Sequence, residues 1–492
     1  MSAICIDAGT TVIKAVAYDD AGTEVAVCRR PTRVDRPRPG WSEQDMDEVW
    51  EAVVSAVREA ADELDGRPDL VTVTAQGDGA WMVDKAGRPT GPAVLWNDGR
   101  AAEQVAAWER DGVLAEAYAV TGSRLSTGMP NAVLAWLAEH DRERLEACST
   151  VLTCGGWIHH RLTGALAIDE SDASAPYLDI RSRSWSDRLL GLYGQEDLRG
   201  LLPELRDDDH RVDELCDEAA DATGLPSGTA VVLAPYDICA TAIGAGVVAP
   251  GDACTVLGTT LSTEIVTGSV EIGDEDPNGI LVALGAPGRW LRAFPTMAGG
   301  DVLEWAARLL GVAGAPELVE LSTEAGASSP VRFLPYLSPA GERVPFFDPA
   351  ARGSLTGLSL DASRADVALA VLTGLTYTVH ECVAAAPERP TGLTLSGGGA
   401  ASPVWSQLVA DVTGLPVRRS LDSEVGARGA LLTGLVATGA LPDLETAVEQ
   451  HVKLSDTIEP TQAEGVRHRD GFADFVRARE ALVPLWHRGS AS

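Results

Sequence analysis

Runs of apolar residues near the start of the chain predict strands of a sheet. Residues 3–7 (AICID) form a short apolar run that ends in an acid and leads into Ala-Gly-Thr-Thr, which is typical of a buried strand entering a turn. Residues 12–27 (VIKAVAYDDAGTEVAV) contain two apolar segments separated by Asp-Asp-Ala-Gly, and this pattern predicts a β-hairpin.

The spacing then changes to a helical one. Apolar residues share one predicted helix face at Val49, Val53, Val57 and Ala60 or Ala61. Ser42, three residues before Asp45, is a candidate start for this helix because such residues cap helix N-termini. Residues 70–79 (LVTVTAQGDG) follow and predict a strand that enters a glycine-rich turn.

A second cycle of the same pattern begins near residue 250. Residues 251–266 (GDACTVLGTTLSTEIV) repeat the order of strand, Gly-Thr-Thr and strand seen in residues 3–17, and residues 392–414 read as strand, triple glycine and amphipathic helix. The repeat predicts an internally related pair of α/β lobes. We place the boundary within residues 245–252, which gives predicted domains 1–247 and 248–492.

Composition and charge exclude several classes of partner. The 492-residue chain has 45% hydrophobic residues and a formal net charge of −33, which is globular but unsuited to nucleic acid or anionic membrane surfaces. The eight cysteines include no CxxC pair, which favours reduced thiols and a cytoplasmic location. We expect no leader peptide, and no apolar stretch approaches the ~20 residues that span a bilayer.

Three glycine-rich turns are candidates for phosphate or nucleotide binding. Asp7 to Thr11 (DAGTT) would group backbone N–H and hydroxyl donors near Lys14; the alternative is a tight hairpin whose threonines satisfy their own turn. Residues 258–260 (GTT) repeat the motif, and residues 396–402 (SGGGAAS) add a third turn, for which close helix–sheet packing is the alternative. Motifs of Rossmann, P-loop, protein-kinase and GxSxG-hydrolase sites are missing from the sequence.

Asp237 lies within residues 231–246 (VVLAPYDICATAIGAG), which are otherwise almost wholly apolar and small. Burying a carboxylate without a partner is costly. The pattern alone leaves two interpretations open, a paired structural acid and a functional one.

The ordered set of motifs resembles the FGGY carbohydrate kinases, within the superfamily of sugar kinases, actin and heat-shock-chaperone ATPases. The resemblance runs from end to end of the chain, and each motif is modestly specific, whereas their order is highly specific. The matching segments are 6–15 (IDAGTTVIKA), 40–50 (GWSEQDMDEVW), 95–100 (LWNDGR), 258–263 (GTTLST), 333–360, 396–417 and 424–431 (EVGARGAL).

The resemblance implies an α/β fold of two RNase-H-like (actin-like ATPase) lobes with a central cleft. It implies ATP and Mg²⁺ as cofactors, with ATP in the cleft. The N-terminal lobe would bind the sugar or polyol and carry the first phosphate motif, and the C-terminal lobe would bind the nucleotide. Asp237 falls on the family's catalytic base at the end of a strand, and Asp7 and Asp237 fall at the metal site. The residues implied for nucleotide contact are Thr10, Thr11, Lys14, Thr259, Gly300, Gly398 and Ser402.

The substrate loop is residues 74–84 (TAQGDGAWMVD), in which Gly77, Asp78 and, from outside the loop, Asp237 are the implied substrate residues. Glycerol kinases carry Arg-Glu where this chain has Gly77-Asp78, and xylulokinases carry Met-His. Loss of the guanidinium argues against glycerol and should leave room beside the substrate. The loop is most like that of erythritol kinases, whereas LWNDGR and residues 338–349 fit pentulose kinases equally well.

These features predict a kinase that transfers the γ-phosphoryl group of ATP to a hydroxyl of a small polyol or ketose, such as erythritol or xylulose. Two alternatives remain, a non-catalytic sugar or nucleotide sensor and a chaperone-type ATPase on the same fold. Whether the chain is a monomer or a homodimer is left open by the sequence.

Overall fold

The computed structural model describes residues 1–207, 210–273, 279–326 and 329–487. The chain forms two compact units. The first comprises Met1–Val248, Gly268–Leu291 and Glu424–Val452, and the second comprises Ala249–Thr267, Arg292–Ser423 and Lys453–Ser492. A division into two continuous domains, 1–247 and 248–492, does not coincide with these units, because two later segments pack in the first unit.

Strands and helices alternate along both units. The strands are β1 (Ala3–Ala8), β2 (Val12–Tyr18), β3 (Glu24–Pro31), β4 (Glu43–Gln44), β5 (Leu70–Ala75), β6 (Trp81–Val83), β7 (Ala93–Val94), β8 (Thr150–Leu152), β9 (Ala167–Asp169), β10 (Leu178–Asp179), β11 (Ser184–Trp185), β12 (Glu204–Arg206), β13 (Val212–Glu214), β14 (Ala230–Leu233), β15 (Ala253–Leu257), β16 (Leu261–Thr267), β17 (Ile280–Ala283), β18 (Trp290–Pro295), β19 (Arg332–Leu334), β20 (Ser354–Thr356), β21 (Leu393–Ser396) and β22 (Val417–Arg419).

The α-helices are α1 (Met46–Asp62), α2 (Ala102–Arg110), α3 (Val113–Thr121), α4 (Pro130–His140), α5 (Arg142–Ala147), α6 (Cys154–Thr163), α7 (Glu170–Ala173), α8 (Asp187–Tyr193), α9 (Asp217–Thr223), α10 (Asp237–Gly244), α11 (Gly300–Leu310), α12 (Ala315–Ser322), α13 (Arg364–Ala385), α14 (Pro403–Thr413), α15 (Val425–Ala437), α16 (Leu444–His451) and α17 (Gln462–Trp486). Two short 3₁₀ helices cover Glu196–Leu201 and Gly398–Ala401.

Two six-stranded sheets carry the fold. The first has the order β13-β14-β5-β1-β2-β3, and the second has the order β17-β18-β16-β15-β21-β22. In the first, β1 is antiparallel to β2 and parallel to β5. In the second, β15 is likewise antiparallel to β16 and parallel to β21. The predicted repeat of strand, Gly-Thr-Thr and strand is therefore a repeated strand topology.

Helix α1 has the predicted buried face but begins at a different N-cap. Val49, Val53, Val57 and Ala60 are all buried, as their spacing predicts. The N-cap, however, is Asp45, whose side chain accepts hydrogen bonds from the backbone N–H groups of Asp47 and Glu48. Ser42 instead lies buried, with its backbone N–H bonded to Asp98 Oδ2 at 2.6 Å.

Helix α13 is, in the part of the chain that the structure describes, the helix long and apolar enough to cross a membrane by length and composition. The sequence reading expected no such stretch. Of its apolar 18-residue window, 72% is buried inside the protein, as in a core helix. All eight cysteines lie in described segments and are free thiols.

Helices α10 and α15 of the first unit approach each other closely enough for their backbones to touch. A Cβ on Gly429 would lie 2.6 Å from the carbonyl carbon of Ala240 and 2.9 Å from the N atom of Gly244. Distances below about 3.0 Å do not occur for real Cβ atoms. Glycine at 429 is therefore required by the packing, although alanine is the better helix former.

We predict that Gly429→Ala destabilises the first unit. The intrinsic helix gain of about 1 kcal/mol is outweighed by overpacking, which costs about 1–3 kcal/mol or more. The lowest-temperature unfolding transition should fall in differential scanning calorimetry, by about 2–4 °C for each kcal/mol of net destabilisation in a unit of this size.

Gly200→Ala is the matched control, because a Cβ there would meet nothing within 4 Å. Its transition should stay within about 2 °C of the parent protein. Equal shifts for both variants would contradict the packing argument.

Candidate functional site

Asp237 is the first residue of helix α10, not the last of a strand. Strand β14 ends at Leu233, and three residues separate it from the helix. Those residues carry the carboxylate from the sheet edge to a helix N-terminus, where a negative charge is favoured. Sequence reading placed Asp237 at a strand end because Ala234 to Tyr236 continue the apolar run.

Asp237 is a carboxylic acid with strongly altered acidity. Burial is the main cause that raises its pKa from 3.8 to about 7, and the negative charges of Asp7 and Asp78 act in the same direction. The backbone N–H of Ile238 and the charge of Lys14 oppose them. A carboxyl group with a pKa near 7 is matched to proton transfer at neutral pH.

Asp7 and Lys14 face each other across the β1–β2 pair. They are register partners in that pair, and Lys14 Nζ lies 3.2 Å from Asp7 Oδ2. The same ammonium lies 2.9 Å from Oε2 of Glu424, which also pairs with Arg29. Lys14 is thus held between two carboxylates, whereas the sequence predicted only that it lies near the Asp7–Thr11 turn.

The start of helix α15 lies against the carboxylate of Asp7. A Cβ on Gly426 would be 3.4 Å from Asp7 Oδ2 and 3.6 Å from Thr241 Oγ1. The motif that contains Gly426 falls in the predicted nucleotide-binding domain 248–492, whereas the structure places it in the first unit. Both distances are those of ordinary van der Waals contact, so the start of α15 packs directly on the Asp7 side chain.

The turn after β5 presents Asp78 in an unusual conformation. Its φ is 54°, in the left-handed region that few residues other than glycine adopt, Asp and Asn being the tolerated exceptions. Such local strain is typical of functional turns. Gly77 next to it fits closely, because a Cβ there would lie 2.7 Å from Cε2 of the Tyr236 ring.

This contact corrects one expectation. Loss of a side chain at position 77 was expected to leave room beside the substrate. The Tyr236 ring instead occupies the space where that side chain would begin, and Tyr236 is buried.

Asp172 is a buried carboxyl group that sequence reading missed. Thr153 Oγ1 donates a hydrogen bond of 2.8 Å to its Oδ2, while Oδ1 is buried with no hydrogen-bond partner among the described residues. Burial raises its pKa well above the usual range, and Asp169, Asp78 and Asp237 add to the effect. The signal that could have found it is the acidic Glu-Ser-Asp in a small-residue segment after β9.

The threonines of the first Gly-Thr-Thr turn differ in their surroundings. Thr10 Oγ1 donates to Gln76 Oε1 at 2.6 Å and accepts from Trp96 Nε1 at 3.1 Å. Thr11 is exposed. The hydroxyl of Thr10 therefore ties the turn between β1 and β2 to the substrate loop, whereas the Thr11 side chain makes no comparable hydrogen bond among the described residues and is exposed.

The LWNDGR segment holds itself together by an internal ion pair. Arg100 Nε lies 2.9 Å from Asp98 Oδ1 and its Nη2 lies 2.7 Å from Glu43 Oε1, while the guanidinium lies 3.9 Å from the Trp41 ring centroid. The side chains of Arg100 and Asp98 are almost fully buried. These polar side chains contact one another within the protein and are not exposed for contact with a ligand.

In the second unit the glycine-rich turns meet backbone to backbone. Gly300 N donates to Gly258 O at 2.8 Å, and a Cβ on Gly300 would lie 2.7 Å from that oxygen. A Cβ on Gly397 would lie 2.9 Å from Leu257 O. Thr259 and Thr260 of the Gly-Thr-Thr turn are both exposed, so this unit has a compact turn with two exposed threonines.

The third turn leads into helix α14. A Cβ on Gly398 would meet nothing within 4 Å, so a flat ring has room beside it. Ser402 is the N-cap of α14, and its hydroxyl accepts from the backbone N–H of Trp405 at 3.2 Å. This bond gives Ser402 a structural role in addition to the predicted place beside adenosine.

The first unit thus brings together Asp7, Lys14, Gly77, Asp78, Asp172 and Asp237, and the second brings Thr259 and Gly300 to one turn and Gly398 and Ser402 to the next. Among the described ranges, no group of three or more His, Cys, Asp or Glu residues forms a preassembled metal site. One or two carboxylates suffice for Mg²⁺ that arrives with nucleotide phosphates.

Comparison with known proteins shows the family of the chain. The sequence pattern of the FGGY family of carbohydrate kinases matches the chain over residues 2–244 with its N-terminal domain and over residues 253–438 with its C-terminal domain. An erythritol kinase of Brucella abortus is 32% identical over 99% of this chain and 97% of its own. A xylulose kinase of Escherichia coli is 31% identical over 98% and 99%.

Solved structures give the same result. A xylulose kinase from Rhodospirillum rubrum has a TM-score of 0.91 at 28% identity, covering 99% of this chain and 100% of that one. A glycerol kinase from Plasmodium falciparum, solved with ADP, has a TM-score of 0.87 at 17% identity over 97% and 98%, which shows the shared actin-like ATPase fold. The chain therefore belongs to the FGGY family of carbohydrate kinases, phosphotransferases that phosphorylate sugars with ATP.

Proposed function

We propose that this kinase transfers the γ-phosphoryl group of Mg-ATP to a hydroxyl of a small, uncharged polyol or ketose, with Asp237 as the catalytic base. A tetritol such as erythritol and a pentulose such as xylulose are the candidate substrates, after the names of the two relatives. The observation that carries the proposal is the pKa of about 7 at Asp237, at a helix start beside Asp7 and Asp78.

Phosphoryl transfer requires the protein mainly to position the reacting groups and to stabilise their charge. Asp237 accepts the proton of the acceptor hydroxyl as that oxygen bonds to phosphorus. Asp78 and Asp237 accept hydrogen bonds from substrate hydroxyls, and Gly77 forms the adjoining wall. Water must be kept from the site so that the phosphoryl group reaches the sugar.

The metal and nucleotide roles rest on the donor sets. Asp7 and Asp237 supply the carboxylate oxygens that Mg²⁺ prefers, and a bound Mg²⁺ would neutralise phosphate charge. The groups proposed to contact ATP are Thr10, Thr11, Lys14, Thr259, Gly300, Gly398 and Ser402. Because the Thr10 hydroxyl already binds Gln76 and Trp96, Thr11 and Lys14 are the stronger side-chain candidates of the first turn.

Charge supports an uncharged substrate. Asp237 feels the negative charges of Asp7 and Asp78, and Asp172 feels those of Asp78 and Asp237. The opposing cation, Lys14, is paired with Asp7 and Glu424. A sugar acid would meet this negative field at close range, which is unfavourable.

The proposal extends to organisation and location. We assign the substrate and the first phosphate-binding turn to residues 1–247 and the rest of the nucleotide site to residues 248–492, in the cytoplasm, where ATP is available. The alternatives are a non-catalytic sensor and a chaperone-type ATPase. A sensor has no need of an acid tuned to pH 7, and ATP hydrolysis at full rate without any polyol would favour the ATPase.

We predict that Asp237→Asn removes phosphoryl transfer while nucleotide binding persists. The amide keeps the shape of the side chain but accepts no proton, so kcat/KM should fall by about 10²–10⁴-fold. ADP release measures transfer, and calorimetric titration with ATP measures binding. Asp221→Asn on exposed helix α9 is the control, and near-normal transfer by Asp237→Asn would refute the assignment.

The pH profile is a second prediction. The base acts as a carboxylate, so kcat/KM should be flat above the pKa of about 7 and fall toward tenfold per pH unit below it. Activity is thus lost on acidification. A profile that stays flat down to the ordinary Asp value of 3.8 would contradict the raised pKa.

Replacement of Thr259 tests the nucleotide turn of the second unit. Losing one hydroxyl bonded to a phosphate should raise the apparent KM for ATP roughly tenfold and leave kcat nearly unchanged. The exposed Thr323→Ala serves as control. An apparent KM for ATP that Thr259→Ala does not change would argue against phosphate contact from this turn.

A further inference from the structure

The contact between Gly77 and Tyr236 joins the two turns that carry the proposed substrate carboxylates. Each residue immediately precedes one of them, Asp78 in the first turn and Asp237 in the second. A Cβ on Gly77 would lie 2.7 Å from Tyr236 Cε2, so the ring rests on the backbone of the substrate loop. The spacing of the two carboxylates therefore depends on this contact.

A buried polar atom lies close to the same point of the substrate loop. A Cβ on Gly77 would lie 3.2 Å from Asp172 Oδ1, the buried oxygen without a hydrogen-bond partner among the described residues. Burial raises the pKa of the Tyr236 phenol well above its usual range. The negative charges of Asp78, Asp237 and Asp172 raise it further. Tyr236 thus lies amid the three carboxyl groups.

We propose that Tyr236 is a specificity-determining residue that limits the chain length of the substrate, and that it does so in place of a side chain at position 77. The inference rests on the proposed function, because it takes Asp78 and Asp237 as the substrate-binding carboxylates. In this role the volume of the ring beside them favours short acyclic polyols and ketoses over longer ones. Removal of the ring would open that volume and expose Asp172 Oδ1 to a further hydroxyl.

The test compares Tyr236→Ala, Gly77→Ala and the double variant on a homologous series of a tetritol, a ketopentose and a ketohexose. Dissociation constants are measured by calorimetry without ATP, and kcat/KM is measured by ADP release. Tyr236→Ala should shift the ratio of ketohexose to tetritol, in both quantities, at least about tenfold toward the longer compound.

The variants should also be coupled. Gly77→Ala alone pushes a methyl group into the ring and should lower kcat/KM for the best substrate by about tenfold or more. In the Tyr236→Ala background the same substitution should cost less than about threefold, since the ring is gone. A cost equal in both backgrounds would overturn the proposed contact.

Tyr193→Ala is the matched control for loss of a buried ring. Tyr193 packs on Trp108 and Tyr177, and its hydroxyl donates to Pro176 O at 3.2 Å. It should lower the thermal midpoint and leave the chain-length ratio within about twofold. A folded Tyr236→Ala protein that also keeps its ratio within twofold would refute the proposal.

The two measurements separate this inference from the proposed function. Parent protein that binds the series but releases no ADP would refute the kinase assignment, while a shifted binding ratio would still support the role of Tyr236. Parent protein that phosphorylates the series, with an unchanged ratio in Tyr236→Ala, would refute only the specificity role. Parent protein that binds none of the compounds would overturn both.

Discussion

The first unit depends on the backbone contact between helices α10 and α15. Gly429 lies on the carbonyl of Ala240, and a Cβ on Gly244 would lie 2.8 Å from the N atom of Gly429. Packing of this kind leaves a helix no freedom to slide or rotate, because interiors are close-packed and resist small displacements. Since α10 begins at Asp237 and α15 begins beside Asp7, one contact fixes both carboxylates that set the acidity of the site.

Electrostatics then makes use of that fixed geometry. Burial, and after it the like charges of Asp7 and Asp78, raise the pKa of Asp237, and both effects cost stability when the group is ionised. Lys14 limits the cost, since it is held between Asp7 and Glu424 and lowers the pKa of Asp237. The balance keeps the pKa of Asp237 at about 7, which suits a base. Asp172 is more deeply buried, and burial raises its pKa well above the usual range.

Local features of this fold were predictable, and contacts between distant segments were not. The Gly-Thr-Thr turns, the buried face of α1 and the strand before the triple glycine follow from spacing within a few residues, and the structure confirms them. The family and its fold followed from ordered motifs, and the comparisons confirm them. The roles of the individual site residues stay predictions.

What sequence reading missed arises from tertiary packing. Glu424 is far from Lys14 in the sequence and lies beside it only in the folded chain. Asp172 lies beside the substrate loop only because helix α7 packs against that loop. The Tyr236 ring filled a space that a missing side chain at position 77 had suggested was open. A glycine in the sequence therefore does not imply empty space in the structure, because a residue from another segment can occupy that space.

Two glycines allow the segments that carry the carboxyl groups to approach each other closely. Gly77 admits the Tyr236 ring, and Gly429 admits the backbone of α10. At each position even a methyl group would push a segment that carries a site residue aside. In this chain glycine serves less to supply flexibility than to remove atoms, and the precision of the acidic cluster follows from the absence of side chains at those points.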